Sequence, residues 1–278
     1  MSIAGTDIGE EDFLKQALQI VDAAQAKNVS LRILGALAVY AHSKNSDECI
    51  NAFKSLERLG QNKSLFTDLD LVGYRKQSKQ IVQLLEGMRF KPVGMVNAVF
   101  GNKRLMYSDP DGKFCADIFL NKLEFSHDVN FGEEPGSGRL ELSYPAITLA
   151  DLVLEKLQIH QINLKDIIDL TVLFLGHEVA EAPPADGDRI DGKYVATILS
   201  NDWGFWYDAT INLDKVNAQA VQFAASGNLS ALQVETVNSR ISDLRAMIDK
   251  MPKSKSWEKR AKTGTKKSWY REVDEVSR

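Results

Sequence analysis

Apolar residues recur at helical spacing near the start of the chain. Within residues 10–27, apolar residues recur at helical spacing, with polar residues between them: Phe13, Leu14, Ala17, Leu18 and Val21. A repeat of this length puts the apolar side chains on one face of a helix. The segment is therefore predicted to form an amphipathic helix.

The segments that follow alternate between strand and helix patterns. Short apolar runs begin near residues 31 and 64, and the DPDG sequence at 109–112 is a turn signal of the hairpin kind. The predicted order is a strand over 31–34, a small-residue helix from Gly35, a helix over 47–59, a strand over 64–74, a helix over 77–88, and two or three strands between 97 and 122.

Helical patterns alone continue after about residue 140. Thr148 with Asp151, and Asn163 with Asp166, have the spacing of a helix-capping box, so a helix is predicted to begin at each pair. A polar loop over 177–192 contains Pro183 and Pro184, and further helical segments are predicted over 190–225 and 229–250. This order predicts an α+β fold, with an α+β domain in residues 1–140, a helical domain in residues 141–250 and a weakly ordered basic tail in residues 251–278.

The composition is that of a globular protein. Hydrophobic residues make up 44% of the 278 residues, and no apolar run approaches the roughly 20 residues of a membrane-spanning helix. The first residues are acidic and do not resemble an export signal. Cys49 and Cys115 form neither a zinc motif nor a disulfide framework. We expect a soluble, cytoplasmic protein that does not bind a membrane.

Charge is distributed unevenly along the chain. The net charge is −4, yet residues 251–278 contain nine Lys and Arg against four Asp and Glu, a local charge of +5. This tail also contains Trp257, Trp269 and Tyr270. Cations with interleaved aromatic rings suit an RNA partner such as tRNA, and a disordered solubilising tail would have the same composition.

Three aspartates lie in segments that otherwise have the pattern of buried strands. Asp68 and Asp70 are two residues apart and would share one face of a strand, and Asp117 lies in a later strand. If the strands are neighbours, two such charges ~7 Å apart repel by about 2 kcal/mol at an effective dielectric constant of ~20. A divalent cation would offset this repulsion, and carboxylate oxygens are ligands that Mg²⁺ accepts.

The same acids could instead have purely structural roles. Asp68 and Asp70 could cap turns at a strand end or meet an arginine, and Asp117 could be a core acid paired with Arg104. Gly35 favours ligand binding, because a glycine between a strand and a helix lets backbone approach a phosphate at the helix N-terminus.

These features together resemble the polymerase-β-type nucleotidyltransferase superfamily. Its pattern is a small-residue turn after the first strand, a pair of acids two residues apart, and a third acid on a later strand; here these are Gly35-Ala36, Asp68 with Asp70, and Asp117. The resemblance covers residues 28–175 and is closest to bacterial minimal nucleotidyltransferases of the abortive-infection toxin type. The sequence TLADLVLEKLQIHQINLKDIIDL resembles the lysine-bearing helix and the later acidic helix of these proteins, with Lys156, Lys165, Asp166 and Asp169.

The resemblance implies a nucleotidyltransferase-like mixed sheet and a magnesium-dependent reaction. An NMP group would pass from an NTP to an acceptor hydroxyl, and pyrophosphate would be released. Asp68 and Asp70 would hold one Mg²⁺ ion, and Asp70 and Asp117 a second, with Asp117 also available as a general base. The nucleotide would be bound by the amides of Gly35 and Ala36, by Lys156 and by Asp166.

The sequence leaves several alternatives open. The acceptor could be RNA, a protein side chain or a small molecule, and a toxin of this type would have an antitoxin protein as partner. Ala36 replaces the usual Gly or Ser, and the segment over 36–67 is long, which favours a catalytically degenerate nucleotide- or RNA-binding protein of the same fold. An adaptor protein is the third alternative. Lys156 could also be a solvated helix lysine, His160 is expected to be structural, and the aromatic cluster over 201–209 is expected to be helix-packing core.

Overall fold

The fold is α+β, which confirms the predicted class. The computed structural model describes residues 8–60, 63–182 and 187–272. Pro183 and Pro184 of the predicted polar loop, the first seven residues and the last six lie outside the described residues.

The helices account for most of the regular structure. Their bounds are α1 Glu10–Gln25, α2 Gly35–Ser43, α3 Asp47–Ser55, α4 Ser78–Gly87, α5 Gly94–Phe100, α6 Leu149–Leu157, α7 Leu164–Gly176, α8 Gly192–Asn201, α9 Trp203–Ala225, α10 Ala231–Lys250 and α11 Lys255–Thr263. The predicted apolar stripe of α1 is buried, including Phe13, Ala17 and Val21.

Five strands form one mixed sheet. The strands are β1 Leu31–Ile33, β2 Leu69–Gly73, β3 Lys91–Pro92, β4 Arg104–Ser108 and β5 Cys115–Leu120, and their spatial order is β1-β2-β5-β4-β3. The central strands β2 and β5 run parallel, and each other neighbouring pair is antiparallel. Short pairs outside this sheet are β6 Lys122–Glu124 with β7 Asp128–Asn130, and β8 Val179–Ala180 with β9 Ile190–Asp191.

The two faces of the central strands have different surroundings. Leu71 and Ile118 are fully buried in a hydrophobic core. The carboxylates of Asp70 and Asp117, which alternate with them along β2 and β5, line a cleft on the other face. One continuous buried cluster extends from Phe13 to Ile248 and so crosses residue 140, where the sequence suggests a domain boundary.

Two predicted segments differ from the structure. The sequence pattern begins a strand at residues 97–100, but these residues end helix α5, which precedes β4. The predicted helical segment over 190–225 is divided into α8 and α9, because the side chain of Asp202 accepts a hydrogen bond from the Phe205 amide and caps the second helix.

The prediction of a weakly ordered tail is wrong for the part that the structure describes. Ser254 caps α11 through the amide of Trp257. The Trp257 ring packs edge-on against Trp206 of α9 at 5.0 Å, and Trp269 packs against Tyr207 at 5.2 Å. These aromatic contacts hold the tail against α9, although its composition is mostly charged.

Trp203 and Phe205 are buried, which confirms the interpretation of the 201–209 cluster as helix-packing core. Among the described residues there is no helix with the length and apolarity to cross a membrane.

Candidate active site

Parallel pairing of β2 and β5 brings two of the predicted acids together. Asp70 and Asp117 are direct partners in the register of the sheet, so their side chains leave the same face. Asp68 comes immediately before β2, since the strand begins at Leu69. All three line one cleft of about 940 Å³. The cleft is also lined by Arg58, Arg104, Phe119, Phe125, Ser126, Glu155, Lys156, His160, Lys165, Asp166, Tyr270, Arg271 and neighbouring residues.

Gly35 is required at the bend between β1 and α2 for two reasons. Its φ is +72°, which an L side chain rarely adopts, and a Cβ atom there would lie 2.7 Å from Oδ2 of Asp70. Its amide donates a hydrogen bond of 3.1 Å to Oε2 of Glu155. The amide that the sequence predicts to bind phosphate is therefore occupied by a carboxylate in this structure.

Ala36 lies in the first turn of α2, and it is not among the described residues that line the cleft. The prediction that its amide binds nucleotide therefore has no direct geometric support. Gly35 contributes to the cleft by leaving room for the carboxylate of Asp70, which a side chain at position 35 would displace.

Asp117 is paired with Arg104, one of the alternatives that the sequence left open. The guanidinium donates from Nε to Oδ1 at 2.6 Å, and its second nitrogen binds the other carboxylate oxygen. Within residues 8–60, 63–182 and 187–272, no three His, Cys, Asp or Glu side chains gather as a group that could hold a metal ion. The three-aspartate metal centre remains a prediction.

Asp70 has a strongly raised pKa among the carboxyls of the cleft. Burial, with the charges of Asp117, Asp68 and Glu155, raises the pKa of its carboxyl from the ordinary 3.8 to about 7, against a lowering by Lys156. A carboxyl in this state binds a proton readily near neutral pH. A cation bound beside this carboxyl would favour its ionised form.

Lys156 is the centre of a buried ionic network. Its ammonium lies 3.1 Å from Glu155, 3.2 Å from Asp166 and 3.1 Å from Asp169. Burial alone would lower the pKa of Lys156, but these three carboxylates hold it well above its ordinary value. Lys156 and Asp166, both predicted to bind nucleotide, thus bind each other, and the alternative of a solvated helix lysine is wrong.

Arg58 extends this network from the other side. Its Nε lies 2.7 Å from Oδ1 of Asp169, and a second guanidinium nitrogen lies 3.1 Å from Oδ2. Asp169 therefore pairs with Arg58 and Lys156. Burial would raise the pKa of Asp169, and the two cations reverse that effect and lower it.

A second cluster reaches the cleft through His160, which lines it, and is not anticipated by the sequence. The buried carboxylate of Asp208 lies 2.8 Å from Nε2 of His127 and 2.9 Å from Nδ1 of His160, and it accepts a hydrogen bond of 2.9 Å from Nε1 of Trp269. The residues belong to four separate segments. Spacing in the sequence therefore could not reveal the cluster. The one local indication is Asp208, a charged residue in the apolar segment that begins α9.

A scan of protein-family models gives no match to this chain, and a search of curated proteins gives none.

Proposed function

We propose that the protein is a nucleotidyltransferase that moves an NMP group from an NTP to an acceptor hydroxyl. The observation that carries the proposal is the register pair of Asp70 and Asp117 in one cleft, directly beside the glycine bend that opens α2. This brings the glycine turn and the acids into contact, as the resemblance to polymerase-β-type nucleotidyltransferases requires.

The donor set fits magnesium. Asp68 and Asp70 offer hard carboxylate oxygens, and burial together with neighbouring carboxylates disfavours the ionised form of Asp70 unless a cation is present. These two residues would hold the ion, with Asp117 contributing when Arg104 leaves it. Bound there, Mg²⁺ would neutralise charge on the phosphates during transfer.

Cationic side chains are available for the phosphates. Arg58, Arg104 and Lys165 all line the cleft that contains the aspartates. Arginine binds phosphate oxygens through two donors at once, so Arg104 is well suited to transfer from Asp117 to the nucleotide. Lys156 and Asp166 form an ion pair between α6 and α7 and would hold these two helices together beside the cleft.

RNA is the acceptor that the surface favours. The tail forms an ordered helix, α11, whose Lys255, Lys259 and Lys262 are exposed. The same tail lines the cleft through Tyr270 and Arg271, so its basic helix would hold a phosphate backbone while a terminal hydroxyl enters the site.

Nucleotide binding without turnover is the second candidate function. It is favoured by the Arg104 pair on Asp117 and by the Glu155 carboxylate on the Gly35 amide, both of which occupy groups needed for catalysis. In that case the cleft would still bind an NTP.

Calorimetric titration with each Mg²⁺–NTP, followed by incubation with radiolabelled NTP and total RNA, tests the proposal. We expect binding and label transfer by the wild type, and loss of transfer in Asp68→Asn. Asp243→Asn, which changes an exposed aspartate of α10, is the matched control. Binding without transfer would support the second function, and absence of both, or transfer undiminished in Asp68→Asn, would refute the first.

A further inference from the structure

His160 is held rigidly at the edge of the cleft. It lies in the turn between α6 and α7, where its amide donates to Oγ of Ser126 at 3.1 Å. Its ring stacks on Tyr270 with 3.5 Å between centroids and 13° between planes, and it meets Trp269 edge-on at 5.4 Å. These aromatic contacts fix the orientation of the imidazole ring, so its ring nitrogens are the atoms available for contacts with a ligand.

Asp208 determines which ring nitrogen of His160 carries the proton. The carboxylate is 1% exposed. Burial would raise its pKa, but hydrogen bonds from His127, Trp269 and His160 bring the pKa below its ordinary value. An ionised carboxylate can only accept a hydrogen bond, so Nδ1 of His160 must donate to it. In the neutral ring the lone pair is then on Nε2.

Nε2 of His160 is the nitrogen left for chemistry. It has no hydrogen-bond partner among the described residues, although the residue lines the same cleft as Asp68 and Asp70. A carboxylate that fixes one imidazole nitrogen while the other is available is the arrangement by which histidine serves as a general base.

Asp117 is less suitable for this task in the present structure. Both of its carboxylate oxygens accept from Arg104. A carboxylate neutralised in this way is a weak proton acceptor, and it would stay one when Arg104 leaves it for the phosphates, because it would then bind Mg²⁺.

We propose that His160 is the catalytic base that accepts the proton of the attacking hydroxyl, with Asp208 as its positioning residue. This inference rests on the proposed nucleotidyl transfer. The hydroxyl oxygen forms a bond to the α-phosphorus, the bond from that phosphorus to the pyrophosphate oxygen breaks, and the hydroxyl proton passes to Nε2. The resulting imidazolium, paired with Asp208, returns the proton to solvent after product release.

Several charged or titratable groups contact His160 or line the cleft with it. They come from α9, from the turn between β6 and β7, from the tail and from the start of α7: Asp208, His127, Tyr270, Arg271, Glu272, Lys165 and Asp166.

Kinetics of pyrophosphate release between about pH 5 and pH 9 test the proposal. His160→Asn keeps a side-chain donor for Asp208 but has no base at the Nε2 position. We expect unchanged NTP affinity, kcat lowered by about 10²- to 10⁴-fold, and loss of the acidic limb of the pH profile. Asp208→Asn should weaken the same limb. His42→Asn, which changes a histidine that binds the Ile147 carbonyl outside the cleft, is the control.

Nitrogen NMR of the wild-type histidines gives a readout that does not depend on turnover. We expect the neutral His160 ring to be protonated on Nδ1 and unprotonated on Nε2. A proton on Nε2, or a wild-type pH profile in His160→Asn, would overturn the assignment while leaving the transferase proposal intact. If Asp68→Asn is also without effect, or the wild type transfers nothing, the transferase proposal and this one both fail.

Discussion

Asp70→Asn should make the protein more stable at neutral and alkaline pH. The ordinary carboxyl pKa of 3.8 applies to the unfolded chain, and burial with the neighbouring acids raises it to about 7 in the folded protein. Between these values the folded state binds a proton that the unfolded state releases. Stability therefore falls as the pH rises through this window, and an asparagine removes the fall.

The size of the effect follows from the two pKa values. Linkage gives a penalty of roughly 2 kcal/mol at about pH 5 and roughly 4 kcal/mol at about pH 8. The free energy of unfolding of the wild type should thus decline by about 2–3 kcal/mol more than that of Asp70→Asn over this range. The remaining titrating groups are common to both proteins and largely cancel in the difference.

Urea denaturation at several pH values measures this difference directly. Asp243→Asn serves as the control for loss of an exposed carboxyl and should follow the wild type. Parallel stability curves for the wild type and Asp70→Asn between about pH 5 and pH 8 would refute the electrostatic account of the cleft. Repeating the series with millimolar Mg²⁺ should shrink the difference, since a bound cation stabilises the ionised carboxylates.

Three further predictions concern the bend, the network and the tail. Gly35→Ala should lower the free energy of unfolding by about 1–2 kcal/mol from the positive φ alone, measured by urea denaturation, and more because its methyl group would meet a carboxylate oxygen at 2.7 Å. Lys156→Met should cost about 3–5 kcal/mol in the same assay, because three carboxylates lose a buried cation; a smaller loss would mean that water or pKa shifts compensate. Glutamine at Lys255, Lys259 and Lys262 should reduce the slope of log affinity for RNA against log salt by roughly 0.7–0.9 per lost phosphate contact, and an unchanged slope would exclude α11 from the interface.

Local patterns are sufficient for most elements of the fold. The three-to-four-residue period of α1 is buried as predicted, and Thr148 and Asn163 accept hydrogen bonds from the amides of Asp151 and Asp166 at the helix starts. The DPDG turn joins β4 to β5 as an antiparallel pair, and Asp109 accepts backbone hydrogen bonds within it. These features depend on residues close in sequence, so periodicity and turn chemistry are enough to reveal them.

Contacts between distant segments could not be predicted in the same way. The sequence brought Asp68, Asp70 and Asp117 into one hypothesis and offered Arg104 as an alternative partner of Asp117. The contact of Asp208 in α9 with His160 in the turn after α6 follows from no local pattern. The order of the tail also depends on distant surfaces, because its tryptophans pack on α9. The composition of such a segment gives its charge, but it does not show that α9 presents aromatic side chains on which the segment packs.

The carboxylate of Asp208 joins three parts of the chain that are otherwise separate: the turn before β7, the turn after α6, and the tail. A ligand that binds the basic helix α11 and draws Trp269 away would remove one of the three donors to Asp208 and one of the two aromatic contacts of the His160 ring. Ligand binding at α11 would then change the surroundings of His160 through the side chain of Asp208, without any movement of the sheet.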